Sequence, residues 1–155
     1  MQTRSNIKML EGDPIVAFKR FYQQFDQHSL DLLGDIYSEN VTFSDPVHMI
    51  QGLQVLKSYF EGMCGNLSHC RFEFIDEVVG ENNACFKWEM HYSHPSLKSN
   101  APLKLIGATF IEYSDKIDAH EDFYDMGAML YEHLPVLGSA VRLVKSRIQK
   151  DSEKK

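Results

Sequence analysis

The stretch "LKLIGATFIEYSDKIDAHEDFYD", residues 103–125, decides the fold. Apolar and polar side chains alternate along it with period two, the pattern of a half-buried β-strand. Ser114-Asp115 interrupts the pattern as a tight polar turn, so the segment reads as two long strands. In the second arm Ile117, Ala119, Glu121 and Phe123 share one face; Asp118, His120, Asp122 and Tyr124 share the other. Whether the second of these faces looks to water or into a cavity decides whether its groups can do chemistry.

Outward from this hairpin the same period continues. "NACFKWEMHY" (83–92) sets Ala84, Phe86, Trp88, Met90 and Tyr92 on one face, against Cys85, Lys87, Glu89 and His91. That is a half-buried antiparallel strand. "HCRFEFIDEVVG" (69–80) alternates Cys70, Phe72 and Phe74 with Arg71 and Glu73. Upstream the period is helical. Asp13-Pro14 is a helix-start signal, followed by Ile15, Phe18, Tyr22 and Phe25 at helical spacing. A second short helix is expected over Ser29–Tyr37, with Leu32, Leu33 and Ile36 apolar. "NVTFSDPVHMIQG" (40–52) reads as a strand stopped by Pro46, with Val47–Ile50 returning as a hairpin arm. A third helix over Gly52–Leu67 carries Leu53, Leu56, Tyr59, Phe60 and Met63 on one stripe. The C-terminal segment, interrupted at Pro135 and Gly138, is expected to form a short helix and then an amphipathic one with Val141, Val144 and Ile148 apolar.

Three helices, a run of long strands and a terminal helix make an α+β layout. The sheet must curve round the helices to bury them, and such a sheet leaves a pocket on its concave side. Residues 1–12 are expected to be a mobile lead-in, 13–126 the domain, and 127–155 a helical extension with a basic tail.

Composition narrows the function classes. The 155 residues suit one domain; 43% are hydrophobic and 25% charged. No apolar run approaches the ~20 residues of a membrane span, and "MQTRSNIKMLEGDP" lacks the apolar core of a signal peptide. Cys64, Cys70 and Cys85 form no CxxC pair and read as reduced structural thiols of a cytoplasmic protein. The net charge of −6 is uneven: residues 142–155 carry six bases and two acids (+4), the other 141 residues ten bases and twenty acids (−10). An acidic body argues against nucleic-acid binding. Cations at a helix C-terminus suit its dipole; a membrane-surface or acidic-partner contact is the other use of such a tail. His91 and His94 lack zinc-site spacing partners and there is no Gly-rich phosphate loop, so no metal is expected.

Two stretches carry a family resemblance over roughly Ile15–Asp125. "IYSENVTFSDPVHMIQG" (36–52) is similar to the ketosteroid-isomerase stretch in which a helix ends, a strand runs and Asp-Pro-Val follows. "GATFIEYSDKIDAHEDFYD" (107–125) is similar to the SnoaL-like pattern of a strand, an Asp-Gly-Lys-Ile turn, then Glu-His-Trp-Asp. The chain therefore resembles the NTF2-like superfamily, in its SnoaL-like and ketosteroid-isomerase branches. The resemblance implies an NTF2-like cone, three N-terminal helices packed on a strongly curved antiparallel sheet, and a homodimer formed through the outer sheet face. It places Asp45 at the isomerase general base, His120 and Asp122 at the SnoaL-like His and Asp, and all three at the pocket. The departures are specific. The isomerase oxyanion Tyr falls on Phe21, beside Tyr22; its late-strand Asp falls on Ala108. Ser114-Asp115-Lys116 lacks the glycine of the turn, and Glu121 stands at the Trp.

An acid in an apolar pocket has its pKa raised toward neutrality, which suits a base that takes a proton beside a carbonyl. Asp45, His120 and Asp122 are thus the candidate catalytic residues. Trp88, Met90 and Tyr92 are candidates for the apolar wall, His48 for the rim, and Tyr22 or Tyr124 for the hydroxyl that stabilises an enolate oxygen. The resulting expectation is a pocket for a small, mostly apolar organic molecule, with isomerase-, cyclase- or dehydratase-type chemistry and no cofactor. A non-catalytic hydrophobic-ligand or lipid binding protein and a structural dimerisation module stay open beside it. Asp45 before Pro46 is equally a turn residue, and an exposed strand face would leave His120 and Asp122 merely solvated.

Overall fold

The computed structural model describes residues 12–152; all but the last residue of the expected lead-in over residues 1–12, and the last three residues of the chain, lie outside it. The order is α1 (Pro14–Gln23), a 3₁₀ turn (Ser29–Leu32), α2 (Leu33–Ile36), β1 (Tyr37–Ser44), β2 (Met49–Gln51), α3 (Leu53–Asn66), β3 (His69–Val79), β4 (Asn83–Ser93), β5 (Leu103–Tyr113), β6 (Ile117–Tyr124), α4 (Met126–Met129) and α5 (Pro135–Ser152). The six strands form one sheet in the order β2-β1-β6-β5-β4-β3. The architecture is α+β, as expected. The sheet is mixed rather than antiparallel throughout, because β1 inserts between β2 and β6 and pairs with β6 in parallel.

Local chemistry explains most element bounds. Asp13 caps α1, its carboxylate accepting from the Ile15 N–H at 2.8 Å, with Pro14 in the first turn. Ile15, Phe18, Phe21 and Tyr22 then face the sheet. The second helix is shorter than its sequence suggested. Asp26 and Ser29 exchange backbone and side-chain hydrogen bonds, and a 3₁₀ turn follows. The tighter winding turns Leu30 inward and Leu32 outward. Tyr37, expected at the helix end, is the first residue of β1 and is fully buried.

The inner face of β4 reads as its alternation predicts: Ala84, Phe86, Trp88, Met90 and Tyr92 are all buried. Trp88 lies opposite Gly107 on β5. A Cβ at Gly107 would sit 2.3 Å from the indole ring, so the ring packs directly on the glycine backbone. A second close approach corrects the expectation for the C-terminal segment. Gly138 does not break the helix; α5 runs through it, and glycine is needed there since a Cβ would meet the Glu132 carbonyl oxygen at 2.3 Å. The glycine lets α5 press onto the preceding turn.

β6 departs from strict alternation. Tyr113 faces Ile117 and Glu112 faces Ala119, so Asp118 is the extra residue of a bulge. The bulge reverses the phase between Ile117 and His120. Both are buried, although period two put them on opposite faces, and Asp118 is exposed. From His120 onward the inner face is His120, Asp122 and Tyr124, which answers the question of their direction.

The core has two clusters. One joins α1 and α3 to β1 and the far end of the sheet; the other joins Trp88, Met90, Tyr92, Leu97, Leu103 and Leu105 to the segment after β6. Gly107→Ala is expected to destabilise the protein by about 1–3 kcal/mol through overpacking, measured by urea denaturation. Adding Trp88→Phe should recover part of that loss, since the clashing ring atoms are absent from phenylalanine; strictly additive losses would place the strain elsewhere.

Candidate functional site

A small cavity of about 40 Å³ lies where the two core clusters meet. Its wall includes Tyr22 from α1, Phe43 and Asp45 at the end of β1, Tyr59 and Met63 from α3, Trp88 and Met90 from β4, Asp122 and Tyr124 from β6, and Met129 from α4. The volume is far below the ~300 Å³ of typical ligand sites and admits about one water. Outside it lies an open groove of about 550 Å³, bordered by Val47, His48, Met126 and His94. Tyr59, Met63, Tyr124 and Met129 line both spaces and form the partition between them.

Behind the cavity a buried hydrogen-bond chain ends on Asp122. The Tyr22 and Tyr37 hydroxyls lie 2.7 Å apart. The Tyr37 hydroxyl is 2.8 Å from Nδ1 of His120, and Nε2 of His120 is 2.8 Å from Oδ1 of Asp122. From the other side Trp88 Nε1–H donates to Thr109 Oγ1 at 2.8 Å, and the Thr109 hydroxyl donates to the same Asp122 oxygen at 2.5 Å. An ionised carboxylate only accepts, so with a neutral imidazole His120 carries its proton on Nε2. Tyr37 then donates to Nδ1, and Tyr22 donates to Tyr37. Burial pushes both tyrosine hydroxyls well above their ordinary pKa, which keeps them protonated donors. Phe18, Tyr22, Tyr37 and Phe43 surround the imidazole with rings, and His120 is 2% exposed.

The two carboxylates are held differently. Both oxygens of Asp45 are engaged: the Val47 and His48 N–H groups and the His48 ring approach Oδ1, and the Tyr59 hydroxyl donates to Oδ2 at 2.6 Å. Burial alone would raise the Asp45 carboxyl, but these donors outweigh it and hold it below the usual carboxylate value. That is opposite to the direction expected for a base in an apolar pocket. Asp122 receives its donors on Oδ1, and none of the described residues donates to Oδ2. Its side chain is 18% exposed. Tyr124 lines the cavity with a hydroxyl that bonds to no described residue; burial first, and then the charges of Asp45 and Asp122, keep it protonated.

The structure thus brings Tyr22, Asp45, Trp88, Met90, Asp122 and Tyr124 to one wall. His120 does not line the cavity but stands behind Asp122. His48 lies on the outer groove, exposed, against Asp45 and Tyr59. Tyr92 is a correction: it does not line the cavity, and its hydroxyl donates to the Met129 carbonyl at 2.7 Å, tying α4 to the sheet. Sequence reading missed Tyr37, Thr109 and Met129. Thr109 faces Asp122 across the hairpin; counting back from the turn would have found it only with the bulge included. Among the described residues the one group with metal-like spacing is Glu73, Glu89 and His91 on the outer sheet face, where Lys104 already pairs with Glu89.

Two measurements check this geometry. The ¹⁵N shifts of His120 should show protonated Nε2 and unprotonated Nδ1; the reverse would invert the chain. Asp45→Asn should lower stability by about 1–3 kcal/mol near neutral pH. Because the folded-state pKa of Asp45 lies below its unfolded value, its contribution is complete above the unfolded value of ~3.9 and is lost as pH falls through the folded one. The gap between wild type and variant should therefore close in acid.

Comparison with known proteins places this geometry. No curated protein matches the chain in sequence. Solved structures share its fold at low identity. A hypothetical protein of ketosteroid isomerase-like fold from Catenulispora acidiphila, in complex with trimethylamine, superposes with a TM-score of 0.68 at 12% identity, covering 79% of this chain and 94% of its own. A candidate SnoaL-like polyketide cyclase from Shewanella putrefaciens gives 0.65 at 12% identity, covering 75% and 92%. An LEH-like epoxide hydrolase from M. tuberculosis gives 0.62 at 11% identity, covering 78% and 82%. The sequence profile of the SnoaL-like domain matches residues 18–120, the span from α1 through the buried histidine. The chain belongs to the SnoaL-like domain family.

Proposed function

We propose that the chain binds a small, mostly apolar organic molecule between the outer groove and Asp122, and moves a proton on it without a cofactor. The observation that carries the reading is the asymmetry of Asp122. His120 and Thr109 fix Oδ1, which leaves Oδ2 as the oxygen directed to a ligand. In this reading Asp122 is the base. Tyr124 supplies the free hydroxyl for the developing oxyanion, a role the absent isomerase pair leaves open. His120 is a positioning residue, and Asp45 orders the β1–β2 turn and adds negative charge to the wall. Trp88, Met90 and Leu105 supply apolar surface. The cavity is too small as it stands, so the ligand must displace the partition. Methionine suits that task, being unbranched and easily repacked, and Met63 and Met129 both stand there. Isomerisation, cyclisation and dehydration all fit one base and one oxyanion donor; cyclase and epoxide-hydrolase relatives show how widely the fold is used.

A second reading is binding without turnover, and the wall composition favours a particular ligand for it. Several aromatic rings and two carboxylates, with no Lys or Arg among the lining residues, suit an organic ammonium ion. The relative from C. acidiphila is in complex with an amine. The exposed apolar residues Ile106, Phe110 and Phe123 of the outer sheet face support the proposed homodimer.

Native mass spectrometry of protein from its own host identifies the co-purifying molecule, which is then offered as substrate. Asp122→Asn and Tyr124→Phe should each retain binding and lose at least about 100-fold in turnover. Turnover unchanged in Asp122→Asn would overturn the catalytic reading. A bound amine that wild type leaves unconverted would establish the second.

A further inference from the structure

The cavity does not use the C-terminal helix, yet α5 is built with two distinct faces. One is pinned. Arg142 donates to the Glu132 carbonyl at 2.7 Å, Lys145 pairs with Asp125 and Glu132, and Gly138 lets the helix backbone close on Glu132. At about 3.6 residues per turn, Val136, Leu143, Arg147 and Lys150 fall on the opposite side, with Leu137 and Val144 along its flank. Val136 is 85% exposed, and Leu137, Leu143 and Val144 are 44%, 52% and 56% exposed. Four large apolar side chains on one exposed helix face are a cost in water unless something covers them. Arg147 and Lys150 form no ion pair with any residue from 12 to 150, whereas Lys145, on the pinned face, forms two.

We propose that this face of α5 docks on an anionic lipid surface. Apolar side chains and bases share one side of a helix that is otherwise anchored to the protein, which is the layout of a helix lying in a membrane interface. Charge selects the occupant. Over Pro135–Ser152 the helix carries four bases, Arg142, Lys145, Arg147 and Lys150, against the single acid Asp151, so a second copy of the helix brings mainly like charge to Arg147 and Lys150. Anionic headgroups bring the opposite charge. Residues 142–155 together carry +4 on a chain whose other 141 residues carry −10, so that body is repelled by the surface the helix seeks. The protein would then touch the bilayer through α5 and keep its sheet in water. No helix among the described residues is long and apolar enough to cross a membrane; α5 would rest on the surface. Because α5 is tied to Asp125 and Glu132, which flank α4, docking sets the protein down beside the segment that carries Met126 and Met129 of the outer groove. The docking surface stands independently of the reading of the cavity.

The test is flotation of the full chain with vesicles of phosphatidylcholine alone and of phosphatidylcholine with phosphatidylglycerol. The protein should float with the anionic vesicles and not with the neutral ones, and lose binding as salt screens the bases. Arg147→Glu with Lys150→Glu should weaken binding by at least about tenfold, as should Leu143→Ser with Val144→Ser. All four positions are exposed, and circular dichroism checks that the fold is kept. Three results would overturn the proposal: no flotation with anionic vesicles at low salt, equal flotation with neutral ones, or an oligomer in solution that Leu143→Ser with Val144→Ser dissociates. The last would assign the face to a second copy.

Discussion

A buried imidazole must satisfy both of its nitrogens, and much of the site follows from that constraint. His120 sits among aromatic rings with almost no access to water. An unpaired nitrogen there would forfeit its hydration with nothing in return. Tyr37 answers one nitrogen and Asp122 the other. Each answer creates a further demand: Tyr37 leans on Tyr22, and Asp122 draws in Thr109, which in turn engages Trp88. One histidine therefore links α1, β1, β4, β5 and β6. A network with every member satisfied adds rigidity; a partly broken one costs more than an apolar core would.

Rigidity of this kind separates two carboxylates that the sequence presents as alike. Asp45 is saturated with donors and behaves as the keystone of a turn. Asp122 is held through one oxygen, and none of the described residues donates to the other. The wall is accordingly fixed where Asp122 and Tyr124 project from β6 and where Tyr59 bonds to Asp45, and soft at Met63 and Met129, which also stand between the inner space and the outer groove. A cavity this small can admit more than about one water only where a wall moves, and the unbranched methionines are its most pliable side chains.

The C-terminal segment ties this soft wall to the outside of the molecule. Tyr92 holds the Met129 carbonyl, and Lys145 holds Asp125 and Glu132. The extension therefore braces the groove even though it contributes no charged group to the cavity lining.

What the sequence determined by itself was periodic or local. The alternation over 83–92 put five side chains in the core, and Asp13-Pro14 started α1. The stretch 107–125 announced both the hairpin and the family. Those features depend on residues a few positions apart. Tertiary structure decided what depends on register and on distant partners. The bulge at Asp118 reversed the phase of β6 and fixed Thr109 opposite Asp122. The parallel pairing of β1 with β6 brought Phe43 beside His120. Tyr37 became a partner of that histidine from 83 positions away. No local pattern encodes these choices, because a bulge moves a whole strand face by one residue and a hydrogen-bond partner is chosen by space, not by spacing. Whether Asp45 would be a raised base or a saturated turn residue was likewise settled by the donors that folding brought to it.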